Sequence, residues 1–255
     1  MLGQTKNPFA SVGPALRSSS EVWKSSEHHA GEHGARVFVT VSREPGAGAL
    51  PFANKLAERL NESGSGDWTT WDRELVEKIA AEHHIDREVL EAIETRHHNW
   101  LDEFVRGFAA SNDDTEFAEA RAYKRVMVTL RALARAGHVI LVGRGGTFIT
   151  QGMPGAINIR LVASLEHRIR LTAEREKMSL HDAAAYVAEI DRRRAEFYRR
   201  YWPGKSVAPG TFTMTLNVGE MSADEMVDCV VPLVRSRQAQ ESRLVHHHAA
   251  LAATK

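Results

Sequence analysis

The chain has 255 residues, 33 basic residues against 33 acidic ones, and 43% hydrophobic and 26% charged positions. That length suits one core domain carrying an inserted cover, and the neutral total gives no long-range pull toward nucleic acid or an anionic membrane. The lone Cys229 excludes an internal disulfide and a zinc site built on several thiolates, as expected of a protein in a reducing cytoplasm.

Residues 1–34 are rich in Ser, Gly and His with few large aliphatics, so a flexible tail is expected there, and Glu21, Glu27 and Glu32 count against a transit segment. No window approaches the ~20 consecutive apolar residues of a bilayer span, so no membrane partner is expected. Residues 36–42 predict a central parallel strand, β-branched and aromatic over most of its length. A glycine-bearing turn follows, then a helix in which Pro51 stands near the start and Phe52, Leu56 and Leu60 repeat at helical spacing. Ser63-Gly-Ser-Gly66 ends it.

Residues 68–72 predict a short second strand and 73–83 a helix, with a further helical stretch from Asp86 to about residue 111 that, like the later one at 179–202, is placed as a mobile cover on the sheet. Residues 113–136 predict a long helix, with Phe117, Met127, Leu130 and Leu133 on its buried face and Gly137 as its stop. His138 to Val142 is the most apolar strand candidate and opens directly into Gly143-Arg-Gly-Gly146. Residues 157–162 give the next strand. Ser164 caps a helix to about Lys177, and Ser179 caps a lid helix that spans about 179–202. Residues 212–218 give the last strand and 222–235 the closing helix, with a frayed tail expected over 238–255. Strands alternating with helices predict an α/β fold, a parallel sheet with helices on both faces and ligands beyond the carboxyl ends of the strands.

Three loops at that end carry the suggestive residues: 43–50, Asp72-Arg73, and 143–146. The first has the order strand, glycine turn, helix, in which backbone N–H groups and the helix dipole converge on an anion. Set against G-x-x-x-x-G-K-[ST], its second glycine is Gly48, but Arg43 replaces the first, Ala49 the lysine and Leu50 the metal-binding hydroxyl. A plain turn is the competing reading. Arg43 suits phosphate oxygens or a salt bridge to Glu44. Arg144, among three glycines, suits an anion or helix carbonyls, and Asp72 a ligand hydroxyl or the N-cap of the next helix.

Between Tyr186 and Trp202, Glu189 stands four residues from Arg193, and Glu196 four from both Arg192 and Arg200, which accounts for those three arginines. Arg194 and Arg199 remain as phosphate candidates, against the alternative of a solvated charged face. The His83-His84 and His97-His98 pairs do not make a metal site, since adjacent helical residues diverge and no H-E-x-x-H pattern supports one. Trp and Tyr lack the basic-aromatic interleaving of a single-strand binder, so no nucleic-acid partner is expected.

In VSREPGAG, TWDRELV, VILVGRGG and DRRRAEFYRRYW the chain resembles the cytidylate kinase-like family, a divergent branch of nucleoside monophosphate kinases with a P-loop NTPase fold, over about residues 36–235. Ser42, Arg43 and Glu44 match that branch's S-R-E variant of the loop. The resemblance implies ATP and magnesium as cofactors and a nucleotide substrate, CMP first. It implies that Ser42, Glu44, Gly46, Ala47, Gly48 and Ala49 form the phosphate loop, and that Asp72, Arg73 and Arg144 lie on the acceptor side. Asp191, Arg194 and Tyr198 would belong to the lid, with Arg43, Arg194 and Arg199 steadying the transferring group. Ala49, Leu50 and Pro51 depart from the branch pattern, and Gly145 stands where cytidylate kinases carry an aspartate. A nucleotide-sensing module that kept the fold and lost turnover is the alternative.

Overall fold

The computed structural model describes residues 36–72, 74, 76, 114–143 and 145–252. The expected N-terminal tail, the cover at 86–111, both histidine pairs, Arg73 and Arg144 lie outside the described residues.

Strand β1 (Phe38–Arg43) is buried along its whole length except at Arg43. It is flanked by β3 (Val139–Val142) and β4 (Ala156–Val162), with β2 (Thr69–Trp71) and β5 (Met214–Asn217) at the edges, in the order β2-β3-β1-β4-β5. Every pairing is parallel, with Val39 beside Ile140 and Ile157, and Val41 beside Val142 and Ile159. Such a sheet must be covered on both faces, and the period of two sorts the side chains between them.

On one face Val39, Val41, Ile140, Ile157 and Ile159 meet helix α1 (Ala49–Glu62) through Phe52, Ala53, Leu56 and Leu60. Met226, Val227, Val230 and Val234, on a long C-terminal helix, complete that layer. On the other face Phe38, Val139 and Leu141 meet Met127, Leu130 and Leu133 of α2 (Asp114–Ala136), together with Trp71, Phe148 and Trp202. Gly137 ends α2, its N–H bonding the Leu133 carbonyl 3.2 Å away.

One short helix was not visible in the sequence pattern. After β3 the chain makes α3 (Gly146–Ile149), which is fully buried and too short to show a helical period. Helices α4 (Leu165–Glu176) and α5 (Leu180–Tyr201) follow, each N-capped as the sequence predicts. Ser164 Oγ accepts from the His167 N–H, and Ser179 Oγ accepts from the Asp182 N–H. Ala183 and Val187 bury the inner face of α5.

The closing helix extends into the stretch where a frayed tail is expected, as far as Ala252. Helix α6 (Ala223–Ala252) continues past Arg237. Gln238 Nε2 donates to the Ser65 carbonyl at 2.8 Å, and Glu241 accepts from the Val37 backbone N–H. These polar anchors sit at the amino ends of the strands, where the hydrophobic pattern of the sequence gives no sign of them. Burial pushes the Glu241 carboxyl up to about 6, against the opposing pull of Arg237 and the Val37 N–H. Among the described residues no helix is long and apolar enough to cross a membrane.

Candidate phosphate-binding cleft

Beyond the carboxyl ends of β1, β2 and β3 lies a cleft of about 550 Å³, floored by the 43–50 loop and walled by α5. The loop is held by its neighbours rather than by itself alone. The Glu44 N–H donates to the Leu161 carbonyl and the Ala47 N–H to the Glu44 carbonyl. Gly46 has φ +82, and a Cβ there would stand 2.8 Å from the Arg168 carbonyl oxygen, so α4 packs directly on the loop backbone. Gly48 caps α1 without any side-chain acceptor. The first N–H groups of α1, those of Ala49 and Leu50 included, therefore have no intrahelical partner and face the cleft end of the helix.

Arg43 leaves the end of β1 and lays its guanidinium over Gly143. A Cβ at Gly143 would come within 1.8 Å of Arg43 Nη1, so only glycine admits this path. Arg194 reaches in from α5 and donates from Nη1 to the Arg43 carbonyl at 2.7 Å. The two cations share one wall of the cleft. Burial first, and then the Arg43 charge, lowers the Arg194 guanidinium to about 10; Arg160 adds to this, against the opposing pull of Tyr198 and Asp191. Arg194 is therefore still charged at neutral pH, but at a cost that a bound anion would offset.

Two arginines that spacing could not single out hold this arrangement. Arg160 donates from Nη1 to Ser42 Oγ at 3.0 Å, and its Nη2 lies 3.9 Å from Glu44 Oε1. Arg168, almost fully buried, donates from Nη1 to Asp191 Oδ2 at 2.9 Å and to the Pro45 carbonyl at 3.5 Å, with its Nε 3.7 Å from Glu44 Oε2. Glu44 also accepts from the Ala163 N–H at 3.1 Å. Arg168 thus ties loop, α4 and α5 into one unit. A buried arginine on an amphipathic helix carries no sequence mark apart from its place on the apolar side.

The predicted site residues separate accordingly. Ser42, Arg43, Gly46, Gly48, Asp72, Arg194 and Tyr198 line the cleft. Ala47 and Ala49 line it too, but their methyl groups belong to the core and only their backbone is available. Glu44 turns its carboxylate to Arg160, Arg168 and the Ala163 N–H, and Asp191 turns to Arg168, so both act on the frame of the site. Arg199 is exposed and does not line the cleft. The lining arginine beside Arg194 is Arg193, which pairs with Glu189 at 2.6 Å. Arg200 bonds Glu119 of α2 at 3.0 Å rather than Glu196.

The carboxyl end of α5 is clamped by aromatic side chains. Tyr198 meets Phe148 edge-on at 5.7 Å, and Trp202 Nε1 donates to Tyr123 Oη at 3.2 Å. A helix expected to be a mobile cover is fastened at Arg168, at Arg43 and by this cluster.

A magnesium ion, implied by the resemblance, would need hydroxyl or carboxylate oxygens beside the loop. The described residues beside the loop do not fit it. Leu50 stands at the hydroxyl position, Ser42 Oγ accepts from Arg160, and Glu44 is turned away. Asp72 and Glu74 line the β2 side, two strands from β1. Among the described residues no group of three His, Cys, Asp or Glu could hold a metal.

The pattern of the cytidylate kinase-like family matches residues 38–220, and that span contains the loop, Arg43, Arg160, Arg168 and Arg194. The chain belongs to the cytidylate kinase-like family. Family and sheet together mark it as kinase-like, of a nucleotide-binding, phosphotransferase type. Among solved structures, an uncharacterised protein from Eubacterium ventriosum is 20% identical, with a TM-score of 0.60 over 79% of this chain and 99% of that one. It shares the fold of this family member. Shikimate kinase from Bacteroides thetaiotaomicron is 13% identical, with a TM-score of 0.42 over 78% and 98% of the two chains. Dephospho-CoA kinase from Campylobacter jejuni is 13% identical, with a TM-score of 0.34 over 80% and 98%. No curated protein matches the chain.

Proposed function

We propose that the protein binds ATP with its phosphates over the 43–50 loop and transfers the terminal phosphoryl group to a nucleoside monophosphate, CMP first. The observation that carries this reading is the meeting of Arg43 and Arg194 above a helix N-terminus at the carboxyl edge of a parallel sheet. Membership of the cytidylate kinase-like family supports CMP as the acceptor.

A phosphate oxygen of the acceptor attacks the γ-phosphorus, and the bond from that phosphorus to the bridging oxygen breaks. ADP leaves and a nucleoside diphosphate forms. Such a transfer asks for positioning and charge neutralisation rather than covalent help. Loop amides orient the donor, Arg43 and Arg194 neutralise oxygens as the bond loosens, and the acceptor lies toward Asp72. By family resemblance Arg144 would meet the acceptor's phosphate, and Arg73 would belong to the acceptor side.

A second reading is a nucleotide sensor without turnover, favoured by Ala49 and Leu50 at the positions of lysine and hydroxyl. A coupled assay of ADP release, run with ATP and a panel of CMP, UMP, AMP and dCMP, separates the two. Release that depends on a monophosphate is expected. Thermal stabilisation by nucleotide with no release for any acceptor would replace transfer by sensing.

A further inference from the structure

The ordinary phosphate loop meets a tetra-anionic nucleotide with one ammonium group and one divalent cation held by a loop hydroxyl. Here both positions are apolar: Ala49 is buried in the core and Leu50 carries no oxygen. In their place two guanidinium groups from distant parts of the chain, β1 and α5, line the same cleft, joined by the Arg194 to Arg43 carbonyl bond. Together they bring two positive charges, the charge of one divalent cation. Their forks also bond phosphate oxygens directly, which a bound metal would otherwise occupy.

The surroundings favour this exchange. Among the described residues, the loop's own carboxylate and the one that Arg168 ties to it are engaged elsewhere: Glu44 by Arg160, Arg168 and the Ala163 N–H, and Asp191 by Arg168, while Asp72 and Glu74 line the β2 side of the cleft. A magnesium ion brought in on the nucleotide would therefore meet like charge beside the loop, with no side-chain oxygen ligand from it. Burial of Arg194 beside Arg43 and Arg160 sharpens the penalty for any further cation.

Resting on the nucleotide reading, we propose that the cleft takes a nucleoside triphosphate in its metal-free form, with Arg43 and Arg194 standing in for the divalent cation on its phosphates. The cation is then dispensable for binding, and the metal-bound nucleotide is the poorer ligand.

Calorimetric titration of the full chain with ATP and with CTP, in excess EDTA and in excess magnesium chloride at neutral pH, tests this. Affinity in EDTA is expected to equal or exceed that in magnesium. Arg43→Met and Arg194→Met should each weaken binding in EDTA by about tenfold to a hundredfold, the loss of a charge-assisted contact. Circular dichroism checks that each variant is folded, and Arg43→Gln serves if Arg194→Met is not. Tightening by magnesium of more than about threefold overturns the inference while leaving nucleotide binding intact. So does parental affinity in EDTA for the folded variants. Absence of binding in both solutions removes the nucleotide reading and this inference with it.

Discussion

Two neighbouring stretches of α5 carry the same residue type and do opposite things. Arg192 and Arg193 face solvent and are covered by carboxylates one helical turn away: Arg192 by Glu189 and Glu196, Arg193 by Glu189. Hydrogen bonds from Arg192 and Arg193 hold the Glu189 carboxyl down at about 2. One residue further on, Arg194 turns inward to the Arg43 carbonyl, where burial and neighbouring cations lower it. Charge that is locally balanced decorates a helix; charge buried against charge marks a place for an anion. Arg168 is a third case, buried but answered by Asp191 and Glu44.

The largest expected effect concerns that third case. Arg168→Met leaves Asp191 without its cation and Glu44 with only the more distant Arg160, and should cost about 2–3 kcal/mol in urea unfolding. A loss too small to measure would mean that loop and α5 are not tied through it. Next comes pH. Arg194 carries its charge below about 10 and loses it above, whereas nucleotide phosphates stay ionised throughout. Affinity for ATP should therefore fall as pH rises through that value, and calorimetry on Arg194→Met should show no such fall.

A smaller effect has the opposite sign to the usual one for mutation. Without ligand, Arg194→Met removes a desolvated cation, which outweighs the loss of its hydrogen bond to the Arg43 carbonyl, and should raise stability by about 1 kcal/mol, read from the urea midpoint. If the parent is instead more stable, Arg194 is compensated like Arg168 and the contrast within α5 fails. The smallest belongs to the outer face. Glu189→Gln breaks two exposed ion pairs and should leave the urea midpoint where it was.

Local features were legible from residues alone. The strand, turn and helix over 37–60 follow from a β-branched run, glycines, and Phe52, Leu56 and Leu60 at helical spacing, and all three side chains are buried. The Glu189–Arg193 pair is set by one turn of helix and forms as spacing requires. What escaped is what depends on distant chain. Nothing near Arg200 in sequence points to Glu119, and nothing in the alternating strand around Arg160 says that its fork meets Ser42 on β1. Arg199 and Arg194 look alike by spacing because both lack an obvious i,i+4 carboxylate. Only the packing of Ala183 and Val187 decides which side of α5 faces the loop.

The long last helix bears on where this protein can be cut. The family pattern ends at residue 220, yet Met226, Val227, Val230 and Val234 beyond it close one side of the sheet. A fragment trimmed to the matched span would bare an oily surface over the central strands and stick to its own kind, although every phosphate-facing residue would still be present. The segment that defines the family is shorter than the segment that folds.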